Sequence, residues 1–343
     1  MIVLVDVFRL TLLSVVLTEI HGWVLVSFKS TSPTKRFLLN AHHGHRRQVH
    51  DGDDDDPPMD PSYLSATRNI LGRRDFSFGA SCVGVASLFP DIAQANVTTM
   101  KDHLREVRDP NTYSALSYVD PTITNKEKGV PLIVVLHGAG KNQDGVWSLA
   151  DIQGEHAGLI PSLIATNKAP LVLADNFAVV APYAAGKASF YDEPRSKLLK
   201  FVDWVCSEEG QKAGCPPNID PNRIFLFGFS DGATVGVELA TTRRFKACII
   251  CAYGYSGILP SLALERLKDL PIWVFHSKDD VIFPVSYSDQ LVQSLRSVST
   301  PGLVRYTRFE ADQEGFTGNV KGHSVGITAS KMADIYTWML SIP

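Results

Sequence analysis

From residue 131 onward the apolar residues fall in short continuous runs, and the stretches between the runs carry a helical period. The runs are Leu132 to Leu136 (LIVVL), Phe177 to Ala181 (FAVVA, ended by Pro182), Ile224 to Phe227, Ala247 to Ala252, Ile272 to Phe275 and Leu303 to Phe309. Continuous apolar strands of this length suit a sheet buried on both faces. Within 193–209, Leu198, Phe201, Val202 and Val205 recur at i, i+3, i+4 and i+7 and mark one helical face. Pro194 fits an early position of that helix. Residues 327–340 (ITASKMADIYTWML) predict a terminal amphipathic helix. Alternating strands and helices predict an α/β fold: a doubly wound, mostly parallel sheet with helices on both faces. No internal repeat interrupts the pattern.

The N-terminal part does not share this alternation. Residues 1–28 contain an apolar stretch, Leu10 to Leu17, of the length of a signal-peptide core, with Arg9 before it. Asp6 and Glu19 depart from that pattern. We expect a signal peptide or signal anchor here, the alternative being a strand-like start. Ser27-Phe28, followed by Ser-, Thr-, Lys- and Arg-rich sequence, also resembles the bipartite plastid presequences of some algae. Residues 29–74 read as a linker, because KRFLLNAHHGHRRQVH followed by DGDDDDPPMD has too little apolar surface to pack. Its histidines, His42, His43, His45 and His50, read as solvated rather than as a metal site. The folded domain is expected over 75–343. Asn96-Val97-Thr98 is a glycosylation sequon, used only if the chain enters the secretory pathway. The expected location is therefore the secretory pathway or the exterior, with membrane contact only through the N-terminal segment.

Composition narrows the function classes. Of the 343 residues, 45% are hydrophobic and 20% charged, enough apolar material for a large core. The net charge of −3 argues against a nucleic-acid partner. Five cysteines are too few for a disulfide scaffold. Cys206 and Cys215 are near enough in sequence to pair in an oxidising compartment, or to remain two thiols. Cys248 and Cys251 lie in the run ACIICAY, where odd spacing sends them to opposite strand faces, as core residues. No zinc, calcium, P-loop or dinucleotide pattern occurs, so no cofactor is expected.

The chemistry is concentrated in three short motifs. G-F-S-D-G, residues 228–232, matches G-x-S-x-G, a pattern that chance allows in a chain with 25 glycines. Its context is more specific. It directly follows the run RIFLF and opens a helical segment (ATVGVELATT), the strand–turn–helix setting of a nucleophile elbow. A serine in an ordinary Gly-rich loop is the competing reading. In an elbow, Gly228 and Gly232 leave room for the reversal that lifts the Ser230 hydroxyl above the sheet. The run PLIVVL leads into His137-Gly138-Ala139-Gly140, a loop with backbone N–H groups to spare. The amides of Ala139 and Asp231 are the expected oxyanion donors. The His137 side chain reads as an organiser of that loop rather than a second base. A serine nucleophile also needs a base and an acid that orients it. His323, in KGHSVG, follows the run at 303–309. Asp279 and Asp280 both follow the run at 272–275. The order Ser, Asp, His suits this sheet, with each residue past a strand's C-terminal end. His103, His156 and His276 have no motif partner, and His276 is expected to pack.

With these residues in place, the chain resembles the α/β-hydrolase superfamily. It is most similar to the compact branch of dienelactone hydrolases, phospholipase/carboxylesterase-type enzymes, feruloyl-esterase-like proteins and prolyl-oligopeptidase-like catalytic domains. The resemblance spans Pro131 to Pro343 and rests on PLIVVLHGAG, NFAVVAP, DPNRIFLFGFSDGA, LPIWVFHSKDDVIFPV, the GH pair and the closing IYTWMLS. The branch pattern H-G-x-x-D-x-x-V-P aligns with His276, Asp280, Phe283 and Pro284, and that register selects Asp280 over Asp279 as the acid. Ser277 departs from the pattern's glycine, and Asp231 stands where relatives often carry a small or apolar residue. The resemblance implies a serine hydrolase acting through an acyl-enzyme, with a Ser230–His323–Asp280 triad. The interval between the run at 247–252 and the acid loop is too short for a large lipase lid, and no propeller-sized domain precedes the fold. A small, soluble carboxylic ester is therefore the expected substrate. A prolyl-oligopeptidase-like peptidase and a non-catalytic binding protein are the alternatives.

Overall fold

The computed structural model describes residues 99–125, 127–139, 149–184 and 189–343, together with the strands at 14–20 and 23–29. The chain divides into two compact units, Met1–Val85 and Ala86–Pro343. In the first, β1 (Ser14–Ile20) and β2 (Trp23–Lys29) pair as an antiparallel hairpin, Ile20 opposite Trp23. The remainder of the expected leader and linker, the 74/75 boundary, Cys82 and the Asn96 sequon lie outside the described residues.

The second unit is built on one eight-stranded sheet. Its strands are β3 (Leu104–Arg108), β4 (Ser114–Tyr118), β5 (Val130–Leu136), β6 (Ala178–Pro182), β7 (Ile219–Phe229), β8 (Ala247–Cys251), β9 (Ile272–Ser277) and β10 (Val304–Phe309). They lie in the order β10-β9-β8-β7-β5-β6-β4-β3. From β10 to β6 every neighbour is parallel, while β4 joins β6 and β3 joins β4 in antiparallel register. All six expected runs are strands of the parallel part. The antiparallel edge, LREVR and SALSY, was not anticipated. β3 alternates between covered and open positions and lacks the continuous apolar character of a doubly buried strand.

Helices cover both faces: α1 (Leu149–Glu155), α2 (Ile160–Ala165), α3 (Leu171–Ala174), α4 (Arg195–Val205), α5 (Glu208–Lys212), α6 (Asp231–Ala240), α7 (Ser261–Leu267), α8 (Ser286–Val298), α9 (Val325–Lys331) and α10 (Ala333–Ser341). The strands' strict alternation divides the core in two. Leu132, Val134 and Leu136 of β5 pack with residues of α4, α6 and α8. Ile133 and Val135 pack with α2, α3, α9 and α10. Cys248 belongs to the first cluster and Cys251 to the second, on opposite faces of β8. The buried residues of α4 are Leu198, Phe201, Val202 and Val205, and Pro194 stands one residue earlier than expected, at the N-cap. The expected terminal helix is two helices. Met332 is extended (φ −79°, ψ 112°), and the Tyr336 hydroxyl donates to the Ser330 carbonyl at 2.6 Å, an acceptor that a continuous helix would have used. The break resets the register so that Ile335, Tyr336, Trp338 and Met339 all face inward. Among the described residues, no helix is long and apolar enough to cross a membrane.

Candidate active site

Three strands of the parallel sheet end at the same place, and the loops that leave them carry the motif residues. β7 runs straight into Ser230, the N-cap of α6, whose backbone is held at φ 55° and ψ −114°. A non-glycine residue in that region stores about 1–3 kcal/mol of strain, sustained only where the surroundings enforce it. Both neighbouring strands do so here. The Ser230 N–H donates to the Cys251 carbonyl at 2.8 Å, and the Gly232 N–H donates to the His137 carbonyl at 3.1 Å. The two glycines of the motif are sites of close approach. A Cβ on Gly228 would strike the Gly232 carbonyl, and one on Gly232 would strike the carbonyls of Leu136 and His137.

The turn aims Ser230 at His323. The Ser230 hydroxyl donates to His323 Nε2 at 2.8 Å, and His323 Nδ1 donates to Asp280 Oδ2 at 2.7 Å. A carboxylate only accepts, so its contact places the imidazole proton on Nδ1 and leaves Nε2 free to take the serine proton. Ser230, Asp280 and His323 are 6%, 7% and 9% exposed, so their contacts lie largely out of bulk water. The rings of Phe229 and Phe283 flank the imidazole at 5.2 and 5.4 Å. The loop carrying His323 is pinned by Asp312, which accepts from Gly322 N at 3.0 Å and also from the Ser324 hydroxyl.

Asp280 sits in a nest of donors. Its Oδ1 accepts the N–H groups of Ile282 and Phe283 at 2.8 and 2.9 Å. Its Oδ2 lies 3.3 Å from His276 Nε2 in addition to His323. Burial works to raise its pKa. The hydrogen bonds from His276 and His323, the imidazole's charge and the Phe283 amide outweigh burial and hold the carboxyl well below the usual carboxylate range. Asp279, the other residue the motif allows, points elsewhere, accepting from the Ser277 hydroxyl at 2.7 Å and lying 3.7 Å from Lys321 Nζ. His276, expected only to pack, is thus a partner of the acid. The branch pattern that aligned it was the available signal.

On the other side of Ser230, the 137–139 loop closes against the elbow. Gly138 approaches so nearly that a Cβ there would meet Ser230 Cβ at 3.0 Å. His137 is fully buried, donating from Nδ1 to the Gly138 carbonyl at 2.6 Å and accepting the Ala184 N–H on Nε2 at 3.1 Å. Burial pushes its pKa down to about 4, so at neutral pH it is an uncharged brace for the loop. His156 meets its ring edge-on at 4.9 Å and is itself held far below its ordinary pKa by burial and by His137. Ala139 is exposed. The Asp231 N–H is the first of α6 and has no acceptor within that helix. The Asp231 side chain is buried, and its Oδ2 has no hydrogen-bond partner among the described residues. Burial raises its pKa to about 6, against the Ser189 hydroxyl, the Phe190 amide and Arg195. Among the described residues, no group of three or more His, Cys, Asp or Glu side chains is placed to hold a metal ion.

A mostly parallel sheet with Ser230, Asp280 and His323 gathered at the strands' C-terminal edge is the α/β-hydrolase fold, which this chain shares with its structural neighbours. Residues 195–313 match the Phospholipase/Carboxylesterase family, a span that includes Ser230 and Asp280 and ends before His323. Among solved structures, a thermostable esterase is similar at 26% identity and a TM-score of 0.52, over 70% of this chain. The chain spans 63% of that esterase's length. A candidate dienelactone hydrolase from Klebsiella pneumoniae subsp. pneumoniae aligns over 69% of this chain and 98% of its own, at 16% identity and a TM-score of 0.47. A Thermus thermophilus protein aligns over 70% and 99%, at 16% identity and 0.43.

Proposed function

We propose that the protein is a serine hydrolase that cleaves carboxylic esters of small, soluble substrates. The observation that carries this reading is the unbroken chain of contacts from Ser230 Oγ through His323 to Asp280, at 2.8 and 2.7 Å. His323 takes the Ser230 proton as the oxygen attacks the ester carbonyl. The amides of Ala139 and Asp231 stabilise the resulting oxyanion. The proton passes from His323 to the departing alcohol, leaving an acyl-serine. Water, deprotonated by His323, then releases the acid and restores the hydroxyl. Asp280 stays ionised throughout and keeps the imidazole in its working tautomer. Small esters are favoured by the short β8–β9 connection, in which α7 has only seven residues. The similar thermostable esterase supports ester over amide chemistry.

The test is turnover of p-nitrophenyl acetate and butyrate, a triglyceride emulsion and dipeptidyl amides by wild type and Ser230→Ala. Short-ester turnover that Ser230→Ala abolishes is the expected result. Turnover that survives the substitution overturns the triad, and turnover confined to amides makes the protein a peptidase. The leader expected over 1–28 is tested separately by N-terminal sequencing of the protein from its source cell.

A further inference from the structure

The geometry points to a longer relay, Ser288–His276–Asp280–His323–Ser230, in which His276 is a positioning residue that holds the acid for the proposed ester hydrolysis. His276 is on β9 and Ser288 in the first turn of α8, and neither is accessible to solvent. The protonation of His276 follows from its neighbours. Its Nε2 lies 3.0 Å from the Phe283 carbonyl and 3.3 Å from Asp280 Oδ2, two groups that only accept. Nε2 therefore carries the proton and shares it between them. Nδ1 then accepts the Ser288 hydroxyl at 2.7 Å, which locks the ring in that tautomer.

The consequence falls on Asp280. Its Oδ2 is shared by two imidazoles, one on each side. The His276 donor draws charge from the carboxylate, so Asp280 is a weaker base toward His323 and the proton stays on the imidazole during the reaction. His276 also ties the Phe283 carbonyl to the strand while the Phe283 amide holds Asp280 Oδ1, so one side chain fixes both ends of the acid loop. Among the described residues, the neighbouring carboxylates are engaged elsewhere: Asp279 with Lys321, and Asp312 with Gly322 N and Ser324. Asp280 is thus the carboxylate through which His276 reaches the base.

This inference rests on the serine-hydrolase reading, and the experiment separates the two. Wild type, His276→Phe, His276→Gln and Ser288→Ala are compared in kcat and KM for p-nitrophenyl butyrate, in pH profile and in Tm, and the ring nitrogens are followed by 15N NMR. His276→Phe keeps the ring volume without the donor. Its kcat is expected to fall about 10- to 100-fold, the range for losing a hydrogen bond to a charged group, with KM within about twofold. The acid limb of its profile moves to higher pH, because an undepleted Asp280 carboxylate stabilises the imidazolium. Gln presents its amide nitrogen where Nε2 stood and restores most of kcat and the original limb. Ser288→Ala loosens the tautomer and lowers kcat less. A lower Tm in Phe and Ala with kcat and the acid limb unchanged overturns the proposal and makes His276 packing alone. If His276→Phe does not fold, Ser288→Ala and the wild-type 15N spectrum decide: a proton on Nδ1 of His276 overturns the relay. That spectrum needs no turnover, so an absence of ester activity would strike the function and leave the relay separately testable.

Discussion

Gly232→Ala is the substitution whose effect the geometry determines most directly. A Cβ at that position lies 2.6 Å from the His137 carbonyl oxygen and nearer still to that of Leu136, whereas ordinary contact begins at about 3.4 Å. Both obstacles are backbone, so no side chain can swing aside. The elbow and the 137–139 loop must separate by most of an ångström, and the Gly232 N–H to His137 hydrogen bond goes with them. Overpacking of this kind costs about 1–3 kcal/mol and the hydrogen bond about 1 more. The better helix propensity of alanine returns up to about 1 kcal/mol. The net loss is about 1–4 kcal/mol, which for a domain of this size lowers Tm by roughly 2–16 °C. Because the loop carries one of the proposed oxyanion donors, kcat should fall about 10- to 100-fold, short of the full loss of a donor. Gly154→Ala is the control: it lies in α1 with nothing within 4 Å of its added Cβ, and should be neutral or stabilising by up to about 1 kcal/mol. Thermal melts and p-nitrophenyl ester turnover of the two variants decide the matter. A Gly232→Ala protein as stable and active as wild type would refute the argument that close backbone approach requires glycine here.

Other outcomes follow from the same site. Asp280→Asn, which replaces an acceptor shared by two imidazole N–H groups with an amide, should lower kcat by several orders of magnitude in stopped-flow ester assays while KM stays near wild type. Asp231 has a raised pKa, so the stability it provides is full below the unfolded value of 3.8 and is lost as pH rises through about 6. Asp231→Asn should therefore be more stable than wild type at pH 7.5, by up to about 3 kcal/mol and with a higher Tm, and the gain should vanish near pH 4. Of the four described cysteines, Cys206 alone is partly exposed, while burial raises the pKa of Cys215 to about 12 and holds those of Cys248 and Cys251 higher still. Mass-spectrometric footprinting with iodoacetamide should label Cys206 in the native state and the other three only after unfolding.

Much of the scaffold was readable along the chain. β5 to β9 contain continuous apolar runs because these parallel strands are covered on both faces, whereas β10, at the sheet's edge, is polar at alternate positions and only partly covered; α4 shows its buried stripe because helix period and burial coincide. β3 and β4 do not stand out along the chain because β3, the antiparallel edge, is covered on one face only, and β4, though buried, carries two serines. The break at Met332 escaped notice because it is imposed by what α9 and α10 pack against, and both flanking segments keep good helical composition.

The site divides along the same line. The sequence by itself determined the elbow, since G-F-S-D-G between a strand and a helix is a local steric requirement expressed in neighbouring residues. It also determined the order in which acid and base follow the serine. The resemblance already selected Asp280 over Asp279 along the chain; the tertiary structure adds that of these two adjacent carboxylates only Asp280 is turned toward His323. It alone showed His276 and Ser288 behind the acid, and His137 as a buried neutral brace. Those assignments depend on distances across separate strands and helices, and on the loss of water that shifts a titration. Both are set by packing, which brings together residues that lie far apart along the chain.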